Sequence, residues 1–139
     1  MREENDAWVH ILPESEIQHY SSIVEYLFHQ GKWMIYGPKE VIEHSASKIE
    51  SLVGKKEIRE AKFSKKPALE VPNGYGLGED HVLIVYCDDR ERDTVKSALE
   101  KELGVKELFW RYDRETWARM LKEGEEVPKD IEEELKKIL

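Results

Sequence analysis

The chain is poor in the residues that usually announce a site. It has one cysteine, Cys87, so no internal disulfide can form and a buried structural thiol is the expectation. Its five histidines, His10, His19, His29, His44 and His81, fall at no metal-ligand spacing, so neither a metal nor a cofactor is expected. No apolar run approaches the about 20 residues of a membrane span. Residues 1–6 are charged and lead into no apolar core of the kind a signal peptide carries. A net positive charge is missing too. At −8, with a pI near 5.2, the chain lacks the basic footprint of a general nucleic-acid binder or of an electrostatic membrane binder. Amides are scarce as well: Asn5, Asn73, Gln18 and Gln30 are all there are.

What the chain has in abundance is charge. Charged residues make up 37%, against about 25% in ordinary domains, and Glu and Lys dominate them. An ion-pair-rich surface with few heat-labile amides suits a thermophile, because desolvating charges becomes cheaper as temperature rises. The 139 residues fit one domain with a real core, and a cytoplasmic protein is the expectation.

Periodicity supplies the elements. Residues 14–30 read as a helix with Ile17, Tyr20, Val24, Leu27 and Phe28 on one face, after Pro13 and before Gly31. Residues 8–12 read as a short strand. The aromatic and β-branched run KWMIY (32–36) is a strand, broken by Gly37-Pro38. A helix over 38–53 follows, stopped by Gly54, then a strand over 58–64. The near-continuous apolar run HVLIVYC (81–87) suits a central strand covered on both faces. Asp88 is placed to cap the next helix, with Glu91 reaching back, and Gly104 ends that helix. A strand over 107–112 and helices over 114–123 and 128–139 complete the chain, the last with Glu132/Lys136 and Glu133/Lys137 pairs. The order from Lys32 to Tyr112 is β-α-β-β-α-β. It predicts an α+β fold: one mainly antiparallel sheet with helices packed on one face.

Strand alternation then splits the sheet into two faces. Trp33, Ile35, Ala61, Phe63, Leu108 and Trp110 form an apolar set for the helix-covered face. The other face holds Met34, Tyr36, Glu60, Lys62, Ile84, Tyr86, Phe109 and Arg111. Two cations from different strands beside aromatic rings can hold a phosphorylated or planar ligand through charge-assisted hydrogen bonds and stacking. Lys62, Arg111, Tyr36, Tyr86 and Phe109 are therefore the candidate ligand-binding residues. Lys62 sits inside KKEIREAKFSKK (55–66), where six cations face only Glu57 and Glu60. Lys55, Lys56, Lys65 and Lys66 flank the strand, either widening the positive field or guarding a solvated edge. Gly74, Gly76 and Gly78 look like a phosphate loop but join two strands, so turn chemistry or a flap over the open face fits them better.

The motifs GKWMIY (31–36), AKFS (61–64), HVLIVYCDD (81–89) and WRYDRET (110–116) together resemble a family of unknown function typified by the basophilic leukemia-expressed protein. That resemblance covers most of the chain. It implies the fold of the cap-binding translation initiation factors, a curved antiparallel sheet backed by helices; the element order leaves a ferredoxin-like β-α-β-β-α-β arrangement as the alternative. It marks Trp33, Lys62, Tyr86, Asp88, Asp113 and Thr116, and puts Arg111 where the family usually has lysine. It also carries a link to phosphothreonine lyases. Three functions follow as expectations. The first is a binding module for a phosphorylated or nucleotide-like ligand. The second is an enzyme acting on a phosphorylated substrate, with Lys62 as base and Arg111 as phosphate clamp. The third is a protein–protein interaction domain using the aromatic face.

Overall fold

Six strands and five helices are seen in the computed structural model, which describes residues 1–14, 19–55, 57–68 and 79–138. The strands are β1 (Arg2–Glu4), β2 (Trp8–Ile11), β3 (Gln30–Gly37), β4 (Glu60–Ser64), β5 (His81–Asp88) and β6 (Phe109–Tyr112). The helices are α1 (Ile23–His29), α2 (Lys39–Ile49), α3 (Arg92–Leu103), α4 (Asp113–Lys122) and α5 (Lys129–Ile138). All six strands form one open sheet in the order β1-β2-β4-β5-β3-β6, with every neighbouring pair antiparallel. The inner order β4-β5-β3-β6 is the split arrangement of the expected β-α-β-β-α-β unit. As expected, β5 lies inside the sheet, and seven of its eight residues are buried.

The covered face carries the main core. Trp33, Ile35, Ala61, Phe63, Leu83 and Val85 from the sheet meet Ile42, Ala46 and Ile49 of α2 and Val95 and Leu99 of α3. Leu108 and Trp110 pack against that cluster only partly buried. Each fully buried Leu, Ile or Val stabilises by about 1.5–3 kcal/mol relative to exposure, so this layer dominates the fold. Asp88 caps a short 3-10 turn that leads into α3, accepting from the Arg90 N–H at 2.8 Å. Gly104 ends α3 in the left-handed conformation.

Several expectations need correction. The first helix is only Ile23–His29, because Ser22 caps it by accepting the Glu25 N–H. Val24 and Phe28, expected inside, are 39% and 47% exposed, while Leu27 is fully buried. Tyr20 precedes the helix and donates to Asp88 instead. Ile17 lies outside the described residues. In α5, Lys136 pairs with Glu132 as expected, but Lys137 pairs with Glu134 and not Glu133. The strand β1 was not foreseen. It is an exposed, charged edge whose pairing with β2 shows no apolar pattern.

Gly31 explains a glycine inside a strand. It faces the Trp110 ring across the β3–β6 pair, and a Cβ there would overlap the ring. Trp110 in turn meets Trp33 edge to face at 5.2 Å. Gly31→Ala is therefore expected to destabilise by about 1–3 kcal/mol through overpacking, read by chemical denaturation, with a changed tryptophan fluorescence maximum. An unchanged midpoint and spectrum would show that Trp110 moves aside freely.

Candidate functional site

The second sheet face holds a cleft of about 820 Å³. Strand register builds its floor. One cross-strand row runs His10, Lys62, Ile84, Met34, Phe109, and the next runs Glu60, Tyr86, Lys32, Arg111. Tyr36 lies beyond Met34 on the same face of β3. Helix α4 walls one side with Thr116, Trp117, Arg119 and Met120, and Trp8 of β2 borders the other. Of the five candidate residues, Lys62, Arg111, Tyr36 and Tyr86 line the cleft. Phe109 packs edge to face on Tyr36 at 5.9 Å and supports the apolar patch of Met34, Tyr36, Val82 and Ile84.

The floor is charged. Lys32, buried at 6% exposure, donates to Asp113 at 3.1 Å, and Asp113 is itself 5% exposed. Asp113 also accepts from the Tyr26 hydroxyl and the Gln30 amide, both at 2.9 Å. The Trp117 indole N–H donates to the Tyr26 hydroxyl at 3.0 Å. Burial still lowers the Lys32 pKa despite Asp113, and the Arg111 and Arg119 charges lower it further. Burial raises Tyr86 well above the ordinary phenol value, so its hydroxyl stays protonated.

Lys62 differs from Lys32 in having no such anchor. Among the described residues no carboxylate lies within ion-pair distance of its Nζ. The ammonium sits 4.1 Å over the Trp8 ring and 5.9 Å from the centre of the Tyr86 ring. Burial lowers its pKa first and the Lys32 charge adds to that, with Asp113 and Glu60 opposing. Thr116, one turn after Asp113 on α4, has a buried hydroxyl with no hydrogen-bond partner among the described residues. Lys32, Lys62, Arg111 and Arg119 thus converge on a cleft whose carboxylates among the described residues are Asp113 and Glu60, with Lys66 exposed at the rim.

The other flanking cations lie elsewhere. Lys65 bonds to the Asn5 carbonyl at 3.1 Å and pairs with Glu4 at 3.5 Å. Lys55 is exposed near the turn, and Arg59 stacks over Tyr20 at 4.4 Å. Lys56 and the glycines Gly74, Gly76 and Gly78 lie outside the described residues. Of the residues marked by the family resemblance, Lys62, Tyr86, Asp113 and Thr116 line the cleft. Trp33 is in the covered core, and Asp88 caps the turn before α3.

Strand reasoning missed Lys32, although its parity with Met34 and Tyr36 on β3 was the available signal. Trp8, Trp117 and Arg119 come from elements placed only by tertiary packing. A neighbouring cavity of about 770 Å³ shares Tyr26, Gln30, Glu60 and Tyr86 with the cleft, but among the described residues its own lining brings in one Lys or Arg side chain, Arg59. Among the described residues His29, Asp88 and Asp89 bring potential metal-ligand atoms together. Those atoms are already engaged: Asp88 by Arg90 and Tyr20, and Asp89 by Tyr112 and His29. Cys87 is fully buried and burial pushes its thiol up to about 12, which suits a packing role. No described helix is long and apolar enough to cross a membrane. The chain matches no protein-family model and no curated protein sequence.

Proposed function

We propose that the protein is a cytoplasmic binding module for a small phosphorylated or nucleotide-like ligand, held in the cleft on the second sheet face. One observation carries this: Lys62 presents a partly buried ammonium to the cleft with aromatic rings around it and no carboxylate within ion-pair distance among the described residues. A desolvated cation without a counter-charge costs stability, and an arriving anion removes that cost. The field of Lys32, Arg111 and Arg119 points the same way. The unpartnered Thr116 hydroxyl supplies a donor, and the rings of Trp8, Tyr86 and Trp117 supply stacking surface.

The test is a two-dimensional amide NMR titration with inorganic phosphate, nucleotides, cap analogues and phosphopeptides. Shifts concentrated at Lys32, Lys62, Tyr86, Arg111 and Thr116 are expected. A silent spectrum, or shifts confined to exposed Lys39 and Lys48, would sink the proposal. A second reading, an enzyme acting on a phosphorylated substrate, is favoured by the lowered Lys62 pKa, which suits a general base. Turnover of a ligand found in the titration would decide for it.

A further inference from the structure

We infer that Lys62 is a nucleophilic amine that forms an imine with a small aldehyde or ketone carrying a phosphate or carboxylate group. The anionic part of that substrate class rests on the binding proposed above; the amine chemistry rests on Lys62 alone.

A lysine becomes a nucleophile when it is desolvated, set near another cation, and left without a carboxylate to hold its proton. Lys62 meets all three conditions. Its Nζ lies against Trp8 and Tyr86, and its cross-strand neighbours are His10 and Ile84. Lys32, one residue row away on the floor, supplies the second charge. No carboxylate among the described residues ion-pairs with Lys62, and the side chain borders a cleft wide enough for a small ligand. The Trp8 face favours the ammonium, whereas burial first and the Lys32 charge second lower the pKa. Lys32 is the internal contrast. It shares the cleft and is also desolvated, yet Asp113 holds its proton in a direct hydrogen bond.

The reaction balances without any further reactant. The lone pair of neutral Lys62 attacks the carbonyl carbon, and the C=O electron pair moves to oxygen, which takes a proton to give a carbinolamine. That oxygen then leaves as water, carrying in total the two protons of the amine, and a C=N bond remains. The protonated Tyr86 hydroxyl and the Glu60 carboxylate border the same space and can pass the protons.

The probes are pyridoxal 5′-phosphate and pyridoxal, each trapped with borohydride and mapped by peptide mass spectrometry on the full chain. With the phosphorylated aldehyde, the reduced adduct is expected on Lys62 before exposed lysines such as Lys39, and not on Lys32. Unphosphorylated pyridoxal is expected to label Lys62 about tenfold less efficiently, the equivalent of about one charge-assisted hydrogen bond. Lys62→Arg keeps the charge and removes the nucleophile. It should lose the cleft adduct while the labelling of exposed lysines such as Lys39 is unchanged. Equal labelling of Lys62 by both aldehydes would uphold the amine and overturn the anion-binding proposal. Phosphate-induced shifts in the cleft with adducts only on exposed lysines would overturn the imine and leave the binding proposal standing.

Discussion

Asp113→Asn is expected to cost about 3–5 kcal/mol of folding stability, among the largest effects of any single change in this chain. The reason is what Asp113 compensates. It ion-pairs buried Lys32 at 3.1 Å and accepts from Tyr26 and Gln30. Asparagine has nearly the same shape, so packing is kept and the lost charge is isolated as the cause. Lys32 is then left charged and unpaired in a desolvated site, or it sheds its proton. The second route gives the prediction a pH signature. In the wild type, Asp113 is what holds the Lys32 pKa up against burial. Without it the folded-state pKa drops further below the usual 10.5, while the unfolded chain still binds the proton. Between the two values the unfolded state holds more protons, so stability rises with pH. The variant should therefore recover stability toward pH 10.5 more steeply than the wild type. Adding Lys32→Met should restore part of the loss, since it removes the orphaned charge. Urea denaturation across pH checks all three points. A loss below about 1 kcal/mol, flat with pH, would mean that water reaches Lys32 and that the pair behaves as a surface bridge.

How much of this was legible beforehand depends on which physical signal each residue carried. Period-two alternation placed Lys62, Tyr86, Tyr36 and Arg111 on one face, and register then brought them to one cleft. The same alternation also puts Lys32 on that face. Lysine at the start of a short run reads as a solvated strand end, however, and only the packing of α4 beside β3 buries it. Asp113 reads as a turn residue for the same reason, because its partners lie more than eighty residues away. The resemblance marked Asp113 and Thr116 without saying what they touch. The first helix failed for a local reason. Ser21-Ser22 interrupts an apparently helical apolar pattern, and a serine hydroxyl that can cap the next turn ends the helix behind it. Phe109 was on the right face and in the row of Lys62, Ile84 and Met34, but on the edge strand β6 it buttresses Tyr36 rather than lining the cleft. Strand faces are thus readable from sequence, whereas burial of a charge is a property of what packs above it.

Lys62→Met separates binding from folding. Near neutral pH the substitution is expected to leave stability unchanged or raise it by about 1 kcal/mol, the opposite of most changes in a cleft wall. The ammonium is partly buried, ion-pairs with no described carboxylate, and is disfavoured by burial and by Lys32. The unbranched methionine stem keeps the contacts with Trp8 and Tyr86 and discards the charge. Phosphate binding should weaken at least about tenfold, since a charge-assisted hydrogen bond contributes about 1.5–3 kcal/mol. The pH dependence is again diagnostic. The folded-state pKa of Lys62 lies below its usual 10.5, so the burden on folding is full below the folded value. It lifts as pH rises through the interval up to 10.5, where the unfolded state alone would hold the proton. The advantage of the methionine variant should therefore shrink as pH climbs. Denaturation of both proteins near neutral and alkaline pH, with phosphate titrations alongside, gives the result. Lost stability at unchanged phosphate affinity would make Lys62 a structural cation held by its aromatic neighbours. Gained stability with lost affinity would mean that the chain tolerates a strained charge because the ligand uses it.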